Sequence, residues 1–459
     1  MSEPTAEHDI VVIGSGPGGE EICRWVCSRS DLDIALIEDR LVGGECAFWA
    51  CMPSKALLRP DELHRETARV PGVPGDEDEL DVARILRRRD EVVHDLDDEG
   101  KAADMRERDV TIYRGHGRLE GERRVRVGNE LLAARQAVVI ATGSRPAIPP
   151  IPGLEEAAVW TNRELTLANK QPQSLIVLGG GYVGCEMAQA WASLGTRVTV
   201  LEREDHLMER EEPFDGQILA DTFEELGIDV RTSADVTRVK PHGDRFACEL
   251  DSGGEVRAQR LLASLGRTPN TDDLGLRTLD ITPGGHIEVD DELRCPQHPW
   301  LFVVGDANGR AELTHEAKYE SRFVAELLCG TQRRTFRPTP GGPPRCAFTD
   351  PQVAGVGYTL AAAKEAGLDV RCVDLETQAT AAGSSFYGKG GRNQTRFVVD
   401  NEREVLVGAT FVGPTISEML HAATIAIVGE VPILRLADAV PAFPTRSEIW
   451  VELVDETTR

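Results

Sequence analysis

The chain has 459 residues, about three times the length of a typical domain, so two or three domains are expected. Hydrophobic residues make up 41% and charged residues 28%, and 77 acidic against 51 basic side chains leave a net charge of -26. That charge argues against nucleic-acid or polybasic-membrane roles, and no apolar run approaches the ~20 residues of a membrane span. Met1 to His8 shows no signal-peptide pattern, and ten scattered cysteines make no disulfide scaffold. The reading is a cytoplasmic protein in which any disulfide works rather than supports.

Residues 9–38, DIVVIGSGPGGEEICRWVCSRSDLDIALIE, open on a short β-branched run that enters G-x-G-x-x-G. Helix-compatible sequence and a second apolar strand follow, ending in Glu38. Residues 174–202, SLIVLGGGYVGCEMAQAWASLGTRVTVLE, repeat the pattern and end in Glu202. The acid lies 24 positions after Gly14 and 23 after Gly179. Strand, glycine turn, helix, strand and acid make a dinucleotide-binding βαβ unit. Gly14 and Gly179 allow the tight turn, Gly16 and Gly181 let backbone approach a pyrophosphate, and Gly19 and Gly184 let helix pack on strand. The helix N-terminus then offers free N–H groups to the phosphates. A glycine-rich turn would explain one such motif; two in full context point to two dinucleotides.

Between these units, residues 43–55 read GGECAFWACMPSK. In an ideal helix Cys46 and Cys51 would hold their Cα atoms roughly 8–9 Å apart, beyond the ~7 Å limit for bridging. A disulfide there needs a distorted first turn, and such strain favours a reducible bond. Two buried thiols that never pair are the alternative; metal binding is disfavoured because no second ligand pair stands nearby. The charged stretch 75–108 reads as an exposed helix. Residues 137–146 (AVVIATGSRP) and 261–270 (LLASLGRTPN) read as strands entering glycine turns, and 301–309 (LFVVGDANG) as a strand ending at Asp306. TPGGPP (339–344) marks a linker, after which strand-like stretches alternate with one helix-like stretch at 417–428.

G-G-x-C-x4-C-x-P-S-K, some 25 residues after an N-terminal G-x-G-x-x-G, resembles the disulfide reductase flavoproteins, which include dihydrolipoamide dehydrogenase, glutathione reductase and mercuric reductase. The second dinucleotide unit, ATG, GRTPN, GDANG and RCAFTDPQVAGVGYT extend the resemblance over nearly the whole chain. It implies an α/β fold with two Rossmann-like domains and a C-terminal α+β dimerisation domain. The boundaries expected are 1–150 and 271–334 for FAD, 151–270 for NAD(P) and 335–459 for the interface. It implies tight, non-covalent FAD on the first unit, with Glu38 at the adenosine ribose, Asp306 at the ribityl chain and Arg267 near the pyrophosphate. Gly44, Thr142, Gly143 and Gly266 complete that cradle. The helix starting near Thr314 and His315 would aim its N-terminus at the flavin pyrimidine edge, favouring the anionic reduced flavin. NAD(P)H would lie on Gly179, Gly181 and Gly184 with Tyr182 as a lid over the flavin.

By the same resemblance, Cys51 is the flavin-side thiol, Cys46 the outer thiol, and Lys55 sits by flavin N5 paired with Glu186. A homodimer with a shared active site and a small-molecule acceptor follow. Glu202 favours the free 2′-hydroxyl of NADH, whereas Arg203 stands where NADPH-using relatives often carry arginine; the lean is to NADH. The family's H-P-T-x-x-E, supplied by the partner subunit, is here Phe443-Pro444-Thr445-Arg446-Ser447-Glu448. Glu448 remains, but phenylalanine replaces the general base, a loss worth about 10²–10⁴-fold. Mercuric reductases carry tyrosine there and a C-terminal cysteine pair, which VDETTR lacks. Of the substitute bases, His421 reads as a packed interface residue and His315 as a helix-start residue. Three readings follow: disulfide-mediated reduction of a small disulfide or electrophile, direct flavin reduction of quinones, metal ions or oxygen, and a redox-sensing flavoprotein without efficient turnover.

Overall fold

The computed structural model describes residues 3–70, 72–73, 80–243, 245–378, 380, 382–383, 386 and 392–458. The chain divides into two units: Met1–Pro53, Arg89–Ala147 and Gly266–Arg337 form the first, and Ser54–Arg88, Ile148–Leu265 and Pro338–Arg459 the second.

In the first unit the β-branched runs form a mostly parallel sheet. Its path runs Arg294–Cys295, His298–Val303, Glu130–Ile140, Ala6–Ile13, Ile34–Glu38 and Thr111–Arg114. Ile10 pairs with Ile34 on one side and Ala137 on the other, in parallel register. Every residue of Ile34–Glu38 is buried, as expected for a parallel strand covered on both faces. One face carries the helices Pro17–Cys27 and Thr314–Leu328 over a core that includes Ile22, Leu36, Val139 and Phe323. The opposite face buries Val11, Ile37, Val138 and Leu301.

The second unit holds a parallel sheet ordered Asp229–Arg231, Arg197–Leu201, Ser174–Leu178, Arg260–Ala263, and an antiparallel meander Val236–His242, Arg245–Leu250, Glu255–Ala258. Trp191, fully buried, packs with Leu175, Val177 and Phe223 over the parallel sheet. A five-stranded antiparallel sheet follows, ordered Arg345–Ala347, Gln352–Gly357, Val405–Gly413, Gln394–Asp400, Val370–Leu375. Helices Leu420–Val428 and Ile449–Thr458 cover its apolar face.

Two readings of the charged and C-terminal stretches need correction. The stretch 75–108 is not one exposed helix. Residues 75–79 lie outside the described residues; the rest forms helices Val82–Val92 and Glu99–Arg106, separated by His94, Asp95 and Leu96 at positive φ. Ile85 and Leu86 join one core, Ala102 and Met105 another, and Arg89 is fully buried, so no single straight helix serves both. The C-terminal segment carries further helices at Leu360–Glu365, Ile433–Leu436 and Ile449–Thr458. In the last, Ile449, Trp450, Leu453 and Val454 recur at helical spacing and are buried. Among the described residues no helix is long and apolar enough to cross a membrane, and no group of three or more metal-ligating side chains gathers.

Candidate active site

The first glycine turn is set by backbone crowding. Gly14 lies at φ +98°, and a Cβ there would fall 2.4 Å from the Ala141 carbonyl oxygen; one on Gly19 would fall 1.9 Å from the Gly14 oxygen. Gly16, by contrast, has nothing within 4 Å of a built Cβ, so its backbone faces open space. It also caps helix Pro17–Cys27 without any side-chain hydrogen bond, leaving first-turn N–H groups for a ligand. Gly44, at φ +65°, packs where a Cβ would come 2.6 Å from the Gly16 Cα. Glu38 accepts from Ser15 N–H (2.9 Å) and hydroxyl (2.6 Å) on one oxygen and Arg40 N–H (2.8 Å) on the other. Burial pushes its carboxyl above the usual range, against those hydrogen bonds.

Behind this turn, Ser144–Pro146 pairs with Arg267–Pro269. Arg267 donates to the Ser144 hydroxyl (2.6 Å) and carbonyl (2.9 Å), and the Ser144 hydroxyl donates to Asp306. Thr142 donates to the Asn270 carbonyl (3.0 Å), the Gly143 carbonyl accepts from Asn270 N–H, and the Gly266 carbonyl accepts from Ala147 N–H. These residues fix the loop pair on which Arg267 and Asp306 stand. The Asp306 turn is held in addition by Glu320, whose Oε2 accepts from Gly305 N–H (2.6 Å) and the Asn308 amide (2.9 Å). Burial raises the Glu320 carboxyl to about 7. Sequence reasoning missed Glu320. Its available signal was an acid within the buried stripe Ala317, Glu320, Ser321, Val324, Leu328.

The two thiols meet because the helix breaks. Cys46 lies in the short helix Gly44–Phe48, which ends at Trp49 (φ -131°), and Cys51 opens the next helix, Cys51–Arg69. A hydrogen bond with the Cys51 sulfur, and then burial, push the Cys46 thiol far up, while Thr314 and Lys318 oppose the shift. Cys51 Sγ lies 3.5 Å from Thr314 Oγ1, at the uncapped start of helix Thr314–Leu328. Exposed His315 follows on that first turn.

In the second unit, Gly179 (φ +95°) and Gly184 reproduce the first turn, and Gly181 again faces open space at an uncapped helix start. Glu202 accepts from Gly180 N–H at 2.5 Å and Glu204 N–H at 2.8 Å. Arg203 is 71% exposed, and its guanidinium is held by Glu204 at 2.8–3.0 Å. The Tyr182 hydroxyl donates to Glu211, which Arg345 grips through both oxygens (2.5 and 2.9 Å). Burial and the Glu211 charge hold the Tyr182 phenol well above its ordinary value. Neither Glu211 nor Arg345 was singled out from sequence; the two stand 134 positions apart.

Lys55 donates to both Glu186 oxygens (2.8 and 2.7 Å), and Glu186, 5% exposed, also accepts from Phe348 N–H (3.0 Å). The Lys55 ammonium lies 4.8 Å from the Phe348 ring centroid. The paired charge makes a lysine tolerable beside so buried a carboxylate. Phe443 is 76% exposed and His421 is exposed. Glu448 presents a buried Oε2 that has no hydrogen-bond partner among the described residues.

Two glycine-turn βαβ units, each with an open N–H cradle and an acid at the end of its second strand, together with a hydrogen-bonded thiol pair, define a two-dinucleotide oxidoreductase. The chain belongs to the pyridine nucleotide-disulphide oxidoreductase family: residues 8–321 match that family and residues 343–454 its dimerisation domain. It is similar to dihydrolipoyl dehydrogenase of Chlorobaculum tepidum (31% identical, covering 96% of this chain and 95% of the relative). Mercuric reductase of Staphylococcus aureus is 27% identical over 96% of this chain and 81% of its own length. Among solved structures, the Cu(II) complex of the HOCl-induced flavoprotein disulfide reductase RclA from Escherichia coli superposes with a TM-score of 0.85 at 25% identity, covering 98% of this chain and 99% of that one. LpdA of Mycobacterium tuberculosis shares the fold with a TM-score of 0.85 at 23% identity, over 99% of this chain and all of that one. The protein is an FAD-dependent pyridine nucleotide-disulfide oxidoreductase, a family that uses NAD(P)H.

Proposed function

We propose that Cys46 and Cys51 cycle between dithiol and disulfide, carrying two electrons from NAD(P)H to a small disulfide or electrophilic acceptor. The observation that carries this reading is the broken helix, which puts the two thiols in hydrogen-bonding reach with Cys51 against Thr314. FAD, when bound, would supply two-electron transfer between the nicotinamide and the Cys46–Cys51 disulfide. The Gly14, Gly16, Gly19 and Gly44 cradle, Glu38, Thr142, Gly143, Gly266, Arg267 and Asp306 hold it tightly and non-covalently in residues 1–150 and 271–334. The N-terminus of Thr314–Leu328, with Thr314 and His315, favours negative charge nearby. Lys55, neutralised by Glu186, serves the flavin ring. Residues 151–270 hold the nicotinamide nucleotide on Gly179, Gly181 and Gly184 under Tyr182. NADH is favoured, because Glu202 repels a 2′-phosphate and Arg203 is tied to Glu204.

Residues 335–459 form a homodimer interface in which Glu448 completes the partner's site. Exposed Ile425, Val428, Leu434, Val440 and Phe443 supply its apolar surface. The acidic chain and its few, scattered cysteines suit the cytoplasm. A second reading, direct electron transfer from flavin to a quinone, metal ion or oxygen, is favoured by the exposed Phe443 standing where a proton-moving base would act. The mercuric reductase and Cu(II)-bound RclA relatives point to metal ions within that reading. An acceptor panel run under NADH and NADPH decides between them. The disulfide route requires Cys46→Ser to abolish turnover with every productive acceptor; turnover largely intact in that variant assigns the reaction to the flavin alone.

A further inference from the structure

A second pair of thiols lies in the first unit, on different elements from Cys46 and Cys51. Helices Pro17–Cys27 and Thr314–Leu328 pack side by side, and three contacts fix their register. A Cβ on Gly18 would sit 3.4 Å from the Ser321 hydroxyl. Glu21 pairs with Arg322 at 2.6 Å, and just past the helix ends the Cys329 thiol donates to the Ser30 hydroxyl at 3.6 Å. Positions rise together along both helices, so the helices run parallel. The register then sets the last residue of the first helix, Cys27, against the end of the second, where Cys329 is the C-cap. Both residues pack on the same core and both are half-buried, so a small oxidant reaches them. Cys23, one turn before Cys27, is fully enclosed.

We propose that Cys27 and Cys329 form an oxidant-sensitive thiol pair that closes into a disulfide tying together the ends of these two helices. The oxidant is hydrogen peroxide. One cysteine sulfur attacks the peroxide oxygen, forming S–O and breaking O–O, to give a sulfenic acid and water. The other sulfur displaces the sulfenic oxygen, forming S–S and breaking S–O, and a second water leaves. Two thiols and one peroxide thus become one disulfide and two waters, the sulfurs losing two electrons that the peroxide gains. Burial raises the Cys27 thiol and Cys329 adds to that shift, which casts Cys27 as the slower, resolving sulfur. The link would close a loop of some 300 residues, restraining the unfolded chain strongly on the loop-entropy view.

The test treats the FAD-loaded enzyme and its Cys46→Ser variant with hydrogen peroxide, blocks the remaining thiols by alkylation and maps peptides without reduction. A cross-linked peptide pair containing Cys27 and Cys329 is expected in both proteins, together with an upward shift of several degrees in the thermal midpoint. Cys27→Ser should lose both the cross-link and the shift, leaving Cys329 as a sulfenic acid trapped by dimedone. Recovery of Cys27 and Cys329 as alkylated thiols, or as separately over-oxidised residues without a cross-link, overturns the proposal. Because the readout is a peptide linkage also sought in Cys46→Ser, it stands apart from the function proposed above.

Discussion

Glu320→Gln tests whether a carboxyl enclosed beneath the Asp306 turn behaves as its surroundings require. Glu320 is 1% exposed and accepts two hydrogen bonds on one oxygen, with Glu316 nearby raising its pKa and Arg310 opposing. Its carboxyl rises from an ordinary 4.5 to about 7, chiefly through desolvation. At about 1.4 kcal/mol per pH unit, the difference is worth roughly 3 kcal/mol. The sign follows from which state holds the proton. Below pH 4.5 the folded and unfolded chains both carry it, and the contribution to stability is full. Between 4.5 and 7 the unfolded chain releases it first, so stability falls as pH rises and the contribution is gone above about 7. Glutamine keeps a carbonyl oxygen for Gly305 and Asn308 but cannot ionise. Thermal midpoints of wild type and Glu320→Gln, measured from pH 5 to 8, should therefore diverge with rising pH, the variant gaining a few degrees relative to wild type by pH 8. A difference that stays flat across that range would refute a titrating Glu320.

Other substitutions probe the remaining parts. Arg345→Leu strands the Glu211 carboxylate, whose side chain is 0% exposed, and should destabilise the protein by about 3–5 kcal/mol in chemical denaturation, whereas a double change with Glu211→Gln should recover part of the loss. Gly14→Ala forces a Cβ onto the Ala141 carbonyl at positive φ, so the protein should purify without yellow colour, as absorbance near 450 nm will report. Cys51→Ser should remove the long-wavelength absorption band that a thiolate beside oxidised flavin gives on two-electron reduction, while Cys46→Ser keeps it. Phe443→His should raise lipoamide turnover by about tenfold or more if dithiol exchange is the route, and leave it unchanged if electrons leave from the flavin.

What the sequence made legible follows from what leaves a residue-type trace. Gly14 and Gly179 must accept positive φ, and Gly19 and Gly184 must meet backbone at 1.9 Å, so only glycine serves and the pattern repeats in both units. Lys55 and Glu186 were readable only through the family resemblance, being 131 positions apart. The helix break that joins Cys46 to Cys51 left a weaker mark. The spacing demanded a distortion, but neither glycine nor proline stands between Phe48 and Cys51 to announce it. Glu211, Glu320 and Arg345 were hidden because acids and arginines in a chain of this charge look like surface until packing encloses them. The same masking turned 75–108 into an exposed helix, although Ile85, Leu86, Ala102 and Met105 are buried.

The contrast among helix starts shows where local rules yield to function. Thr161 and Thr359 cap their helices with side-chain hydroxyls, and at the start of Pro213–Glu225 the Asp215 carboxylate accepts from the Glu212 N–H at 3.1 Å. Those ends are satisfied by the chain itself. Gly16, Gly181 and Leu313 make no side-chain cap, and built Cβ atoms on Gly16 and Gly181 meet nothing within 4 Å. An uncapped start costs stability unless another group takes the free N–H donors. On the function proposed above, pyrophosphate is such a group at the two glycine turns, and negative charge on a reduced flavin is one at the third. A serine at Gly16 or Gly181 could cap the helix and stabilise the ligand-free fold, yet its side chain would occupy the space a phosphate needs. Stability without ligand and affinity for ligand are opposed at these positions, and glycine resolves the conflict in favour of the ligand.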